Sequence, residues 1–105
     1  MTWNADIARK LLLKFLKSPD EILITGRAYA EARRDFGLTK DGIISESIKA
    51  LKGDIDLNLT EQDTGSTGWV IKPDINGIPA YFKFCIEDQN GEMTMTIVSA
   101  HKQVN

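Results

Sequence analysis

Apolar residues recur at helical spacing near the start of the chain. Ile7, Leu11, Leu12, Phe15 and Leu16 fall on one side, with Arg9, Lys10, Lys14 and Lys17 opposite, which predicts an amphipathic helix. Ser18-Pro19 ends it, because a proline confines the residue before it to extended geometry. Residues 22–25 read as a short extended piece. Residues 27–36 predict a second helix, with Ala28, Ala32 and Phe36 on one face and Gly37 as the left-handed stop. Arg33 and Arg34 sit towards its end, where cations suit the helix dipole. Thr39 reads as the N-cap of a third helix, with Asp41 in its first turn. Ile43, Ile44, Ile48 and Leu51 form the buried stripe of that helix, and Gly53 closes it.

The period then changes from 3.6 to 2. Ile55, Leu57 and Leu59 alternate with Asp56, Asn58 and Thr60, the pattern of a half-buried strand. Residues 62–68 predict a polar loop, and residues 69–72 a second strand that Pro73 stops. Asn76-Gly77 marks a turn. Residues 81–87 and 93–100 complete a meander of about four strands. Two to three helices followed by an antiparallel sheet of about four strands predict an α+β fold, with the helices packed on the sheet.

The last hairpin decides which side chains meet. Asn90-Gly91 between alternating apolar residues is a strong hairpin signal, since both residues tolerate positive φ. A two-residue turn sets Gln89 against Glu92. Phe82, Phe84 and Ile86 then share an apolar face with Met93, Met95 and Ile97, while Tyr81 and Lys83 join Val98, Ala100 and Lys102 on the other. A three-residue loop flips that parity and brings His101 to the side of Tyr81 and Lys83. A slip of one residue inverts every side chain, so the two registers make opposite claims about His101. Packing favours the first.

At 105 residues the chain is long enough for one domain, residues 1–105, with one modest core. Cys85 is the single cysteine, so no internal disulfide forms and a reducing compartment, the cytoplasm, is expected. No run approaches the roughly 20 apolar residues of a membrane helix. Asp6, Lys14 and Lys17 break up the amino-terminal apolar positions, so neither membrane association nor a secretory signal is expected. The net charge of −2 is divided unevenly. Residues 1–40 carry eight Lys/Arg against five Asp/Glu, and residues 41–105 carry five against ten. A basic groove is compatible with that split, and so is an asymmetry without function.

Several chemistries are excluded by residue type. The chain has no glycine-rich phosphate loop of the P-loop or dinucleotide-binding spacing. One histidine and one cysteine cannot make a structural zinc site, and no metal or cofactor is expected. Cys85, beside Phe84 and Ile86 in a predicted strand, reads as an inert, partly buried thiol. Asp54, Asp56 and Asp74 are scattered. What remains is Tyr81, Lys83 and His101, with Lys102 beside them and Arg27 and Lys72 as outlying cations. RNA cleavage without a metal needs one group to take the 2′-hydroxyl proton, a second to protonate the departing 5′-oxygen, and a cation beside the phosphate. Histidine suits either proton role. Lysine and arginine suit the charge, and tyrosine donates a hydrogen bond or stacks on a base. The plain alternative is that these residues decorate an ordinary sheet face.

Residues 24–28 (Ile-Thr-Gly-Arg-Ala) and 36–43 (Phe-Gly-Leu-Thr-Lys-Asp-Gly-Ile) resemble the middle of MqsR-type toxins. So do Trp69, Pro73, the strand at residues 80–84 and the terminal residues 97–102. These toxins belong to the RelE-like group of bacterial mRNA interferases, and the resemblance covers roughly residues 22–102. It implies a compact α+β fold, sequence-selective cleavage of mRNA, no cofactor, and neutralisation by a cognate antitoxin protein. In that family a tyrosine in the penultimate strand and a lysine near the end of the last strand lie on the active face. Tyr81 matches the tyrosine, and His101 falls at the place of the lysine. Val70 stands where the family has a glutamine, and Asn58 falls near the place of a basic residue. Those departures favour a second reading, a non-catalytic protein–protein interaction module on the same fold: a lapsed toxin relative, or a phage or mobile-element inhibitor of a host protein.

Overall fold

The computed structural model describes residues 5–60, 67–89 and 91–103. Most of the predicted polar loop at 62–68, and Asn90 of the last turn, lie outside the described residues. The helices are α1 (Ala5–Leu16), α2 (Gly26–Phe36) and α3 (Lys40–Lys52). The strands are β1 (Ile22–Ile24), β2 (Asn58–Thr60), β3 (Thr67–Ile71), β4 (Asp74–Ile75), β5 (Ile78–Gln89) and β6 (Glu92–Lys102). The fold is α+β, helices first.

The helix boundaries follow their local chemistry. α1 stops two residues before Ser18-Pro19, and Ser18 N–H closes on the Phe15 carbonyl at 2.9 Å. Thr25 caps α2 by accepting from Ala28 N–H at 3.0 Å, and Thr39 accepts from Gly42 N–H in the same way. Gly37 ends α2 with φ at 68°, a left-handed conformation in which glycine has no Cβ penalty.

Ile7 departs from its predicted role. It is 48 % exposed, and Ala8, Leu12 and Leu16 form the buried stripe of α1. Arg9 is not a solvated residue of the far face. Its guanidinium donates to the carbonyls of Leu51 (2.6 Å), Gly53 (3.2 Å) and Ile55, at and just beyond the end of α3. A cation there also complements the helix dipole. α1 is thereby pinned to the end of α3, and its apolar stripe is rotated to fit.

The sheet is larger than the predicted four strands, and it is mixed. Among the described residues it has six strands, in the order β1-β6-β5-β3-β2, with β4 pairing β5 outside that path. Residues 22–24 are a true strand, parallel to β6, with Ile22 opposite Met95 and Ile24 opposite Ile97. All the other pairs are antiparallel. The predicted strand at 55–60 shrinks to Asn58–Thr60, and Leu59 is 56 % exposed on the sheet edge. The Asn76-Gly77 turn forms as read, with φ of 52° and 87° at its two residues. One face of the sheet, through Trp69, Phe82, Phe84 and Ile97, joins the apolar stripes of all three helices in one core. Among the described residues no helix is long and apolar enough to cross a membrane.

Candidate functional site

Both predicted registers of the last hairpin are half right. Gln89 lies opposite Glu92, as in a two-residue turn, and Phe84 lies opposite Ile97. The ladder then shifts: Lys83 pairs with Ser99, Phe82 with Ala100 and Tyr81 with His101. Val98 is the extra residue of a β-bulge in β6. Two residues there oppose one on β5, and facing parity changes beyond them. Ala100 consequently enters the core with Phe82, both fully buried. His101 emerges beside Tyr81 on the opposite face. The same sequence in a regular ladder would set Tyr81 against Ala100 and turn His101 inward.

The tyrosine and histidine rings are stacked, with centroids 5.1 Å apart and planes within 13°. His101 Nδ1 lies 2.7 Å from the Lys102 carbonyl, which can only accept, so in the neutral ring Nδ1 carries the proton and Nε2 the lone pair. Lys83, two residues from Tyr81 on the same strand, shares its face at a spacing of about 7 Å. Val70 and Ser99 flank Lys83 on the neighbouring strands, and both are buried. Tyr81, Lys83 and His101 are each half-buried and share one side of the sheet.

The other expected residues divide. Lys72 is exposed at the far end of β3, beyond the Ile71–Phe82 pair. Arg27 and Lys102 lie at the β6 edge instead, where they line an open concavity of about 230 Å3 with Glu31, Arg34, Asp35 and His101. Cys85 is buried and in no disulfide. Among the described residues, no three His, Cys, Asp or Glu side chains are grouped as metal ligands.

Two carboxylates of this edge, Glu31 and Asp35, carried no expected role, and Arg34 was expected only as a helix-end cation. β1 covers the edge of β6 only as far as Ile97, whose carbonyl accepts from Thr25 N–H at 3.1 Å. The chain then enters α2, and the helix takes over the strand's task. Glu31 Oε1 accepts from Ala100 N–H (3.2 Å), and Asp35 Oδ2 accepts from Lys102 N–H (2.9 Å). Four residues of helix rise about 6 Å and two of strand about 6.6 Å, so the two carboxylates match two successive outward N–H groups. The first bond satisfies a buried donor that would otherwise be unpaired, and the second lies in an exposed position. Together they hold the backbone on both sides of His101. A sequence signal existed: Glu31 sits between Ala28 and Ala32 on the predicted apolar face, and Asp35 follows four residues on.

Each carboxylate also carries a guanidinium. Arg27 Nε donates to Glu31 Oε2 at 3.1 Å. Arg34 forks onto Asp35, from Nε to Oδ1 at 2.8 Å and from Nη2 to Oδ2 at 3.2 Å. The Arg34 hydrogen bond above all, aided by the Lys102 N–H and opposed by burial, holds the Asp35 carboxyl at about 2, below its usual 3.8. A carboxyl lowered on folding stabilises the fold above its unfolded pKa, and this contribution is lost as pH falls through the folded value. Asp35→Asn is therefore expected to cost about 1 kcal/mol near pH 6, a figure kept small because Arg34 is solvent-screened. The gap to wild type should close between about pH 4 and pH 2. Urea unfolding of both proteins across that range measures it, and a gap of constant size would contradict the assignment.

No known protein family, curated protein or solved structure matches the chain.

Proposed function

We propose that the protein is a toxin of a bacterial toxin–antitoxin system: a cytoplasmic endoribonuclease that cleaves mRNA without a metal ion and is held in check by a cognate antitoxin protein. The observation that supports this reading most is the stacked Tyr81–His101 pair beside Lys83 on one side of the sheet. The resemblance of residues 22–102 to MqsR-type toxins points the same way.

In this reading His101 Nε2 takes the proton of a ribose 2′-hydroxyl. The 2′-oxygen attacks the adjacent phosphorus, and the bond from phosphorus to the 5′-oxygen breaks. The Tyr81 phenol gives its proton to that oxygen, and water returns a proton from His101 to Tyr81. Lys83 offsets the charge gathering on the phosphate. The Tyr81 ring face, lying against the imidazole, favours the positive charge that His101 carries during the step. The products are a 2′,3′-cyclic phosphate and a 5′-hydroxyl.

Purified protein incubated with mRNA in excess EDTA is expected to yield fragments with those two end groups, and its induced expression is expected to arrest growth. RNA that stays intact with folded protein overturns the reading. The exposed Leu23 and Leu59, 58 % and 56 % accessible on strands at the two ends of the sheet, favour the interaction-module alternative. That alternative requires a stoichiometric protein partner and an activity indifferent to Tyr81 and His101.

A further inference from the structure

The concavity between α2 and the end of β6 has donors left over, while both of its acids are already engaged. All four carboxylate oxygens in it are engaged: Glu31 by Ala100 N–H and Arg27 Nε, Asp35 by Lys102 N–H and two nitrogens of Arg34. Neither acid can therefore turn outward without abandoning a backbone N–H or a guanidinium. On the donor side, among the described residues, Arg27 uses only Nε, Arg34 leaves Nη1 without an acceptor, and Lys102 Nζ has none. Three cations thus face solvent around two neutralised carboxylates. At about 230 Å3 the hollow is smaller than the roughly 300–1,000 Å3 of pockets that enclose drug-sized ligands, which suits one small anionic group. Guanidinium groups are the side chains best shaped for phosphate oxygens.

We infer that this concavity is a phosphate subsite, separate from the reacting position, that holds a neighbouring phosphodiester of a bound RNA strand. The inference rests on the RNA reading above and adds the path of the strand. His101 belongs to both places: its ring stacks on Tyr81 and it lines the concavity. A strand with its scissile phosphate at Tyr81 and Lys83 then passes the imidazole and leaves over the start of α2, towards Arg27. Lys72 lies on the other side of Tyr81 and has no part in this subsite.

Binding of a short 2′-O-methyl oligoribonucleotide tests this without cleavage, since it has no free 2′-hydroxyl. Fluorescence anisotropy at several salt concentrations gives the slope of log affinity against log salt. For single strands each neutralised phosphate contributes about 0.7 to that slope. Lys102→Gln and Arg27→Gln are each expected to weaken binding about three- to tenfold at low salt and to reduce the slope by about 0.7. Lys52→Gln, on the distant end of α3, should change neither. Because the side chains of Arg27 and Lys102 are exposed, an unchanged thermal midpoint shows that the loss is local. Equal slopes in wild type, Lys102→Gln and Lys52→Gln would overturn the subsite, as would wild type that does not bind the oligonucleotide. The two ideas fail differently. Intact RNA in EDTA with the predicted slopes preserved removes the nuclease and leaves the subsite standing, whereas cleavage with unmoved slopes does the reverse.

Discussion

His101→Ala is expected to lower RNA cleavage about 10²- to 10⁴-fold, the usual range for removing a positioned proton-transfer group. The loss should fall mainly on kcat, because the imidazole moves the proton in flight, with a smaller rise in KM from the ring's place in the wall of the concavity. The geometry makes the assignment specific. Nδ1 is committed to the Lys102 carbonyl, so only Nε2 can accept a proton. Folding should suffer modestly: an aromatic pair such as the Tyr81–His101 stack contributes about 1 kcal/mol. Tyr81→Phe separates the roles of the ring. It keeps the stack and removes only the phenol, so its stability should match wild type while cleavage falls. Single-turnover cleavage of a labelled RNA beside thermal melts of the three proteins gives all these values. Cleavage by His101→Ala at the wild-type rate would remove the histidine from the chemistry and favour the interaction-module reading.

Glu31→Ala is expected to be the most destabilising of the site substitutions, at about 2–3 kcal/mol. It strips the acceptor from the N–H of Ala100, a fully buried residue, and a buried donor left unpaired costs about 1–3 kcal/mol. A hydrogen bond to a charged group is lost as well, which is worth about 1.5–3 kcal/mol in its own right, though the two figures overlap. For a domain of this size each kcal/mol moves Tm by roughly 4–8 °C, so a fall of 10 °C or more should be read in a thermal melt. Two companions identify the cause. Glu31→Gln keeps an oxygen acceptor and should cost about 1 kcal/mol. Arg27→Ala should cost less than about 1 kcal/mol, because the Arg27 side chain is 73 % exposed and an ion pair of that kind contributes little. If Arg27→Ala proved as damaging as Glu31→Ala, the stabilisation would lie in the ion pair and not in the capping of the strand.

Where the chain's rules are local, its sequence could be read. Ser18-Pro19, Gly37 and Thr39 act within a few residues, and the helices they bound form where expected. The Asn-Gly pairs are equally local. Non-local pairing could not be read. Residues 22–24 are three apolar positions with no visible period, and they become a strand only because β6, some seventy residues later, offers a parallel edge. Residues 55–57 have strand alternation but no neighbour to pair with, so β2 begins only at Asn58. Ile7 has helical spacing, but the docking of Arg9 on α3 turns it outward. Glu31 and Asp35 looked like ordinary acidic residues of a helix until the uncovered edge of β6 gave them donors to meet.

By its own order of residues the chain determined the helices, the turns and the company of Tyr81 with Lys83, since residues two apart on a strand must share a face. The position of His101 was a tertiary decision. Val98, Ser99 and Ala100 are small enough to suit either side of the sheet, so their pattern leaves the parity of β6 open. The bulge at Val98 closes that choice: it lets Phe84–Ile97 and Phe82–Ala100 both point into the core, and the extra residue between them carries the imidazole across to Tyr81.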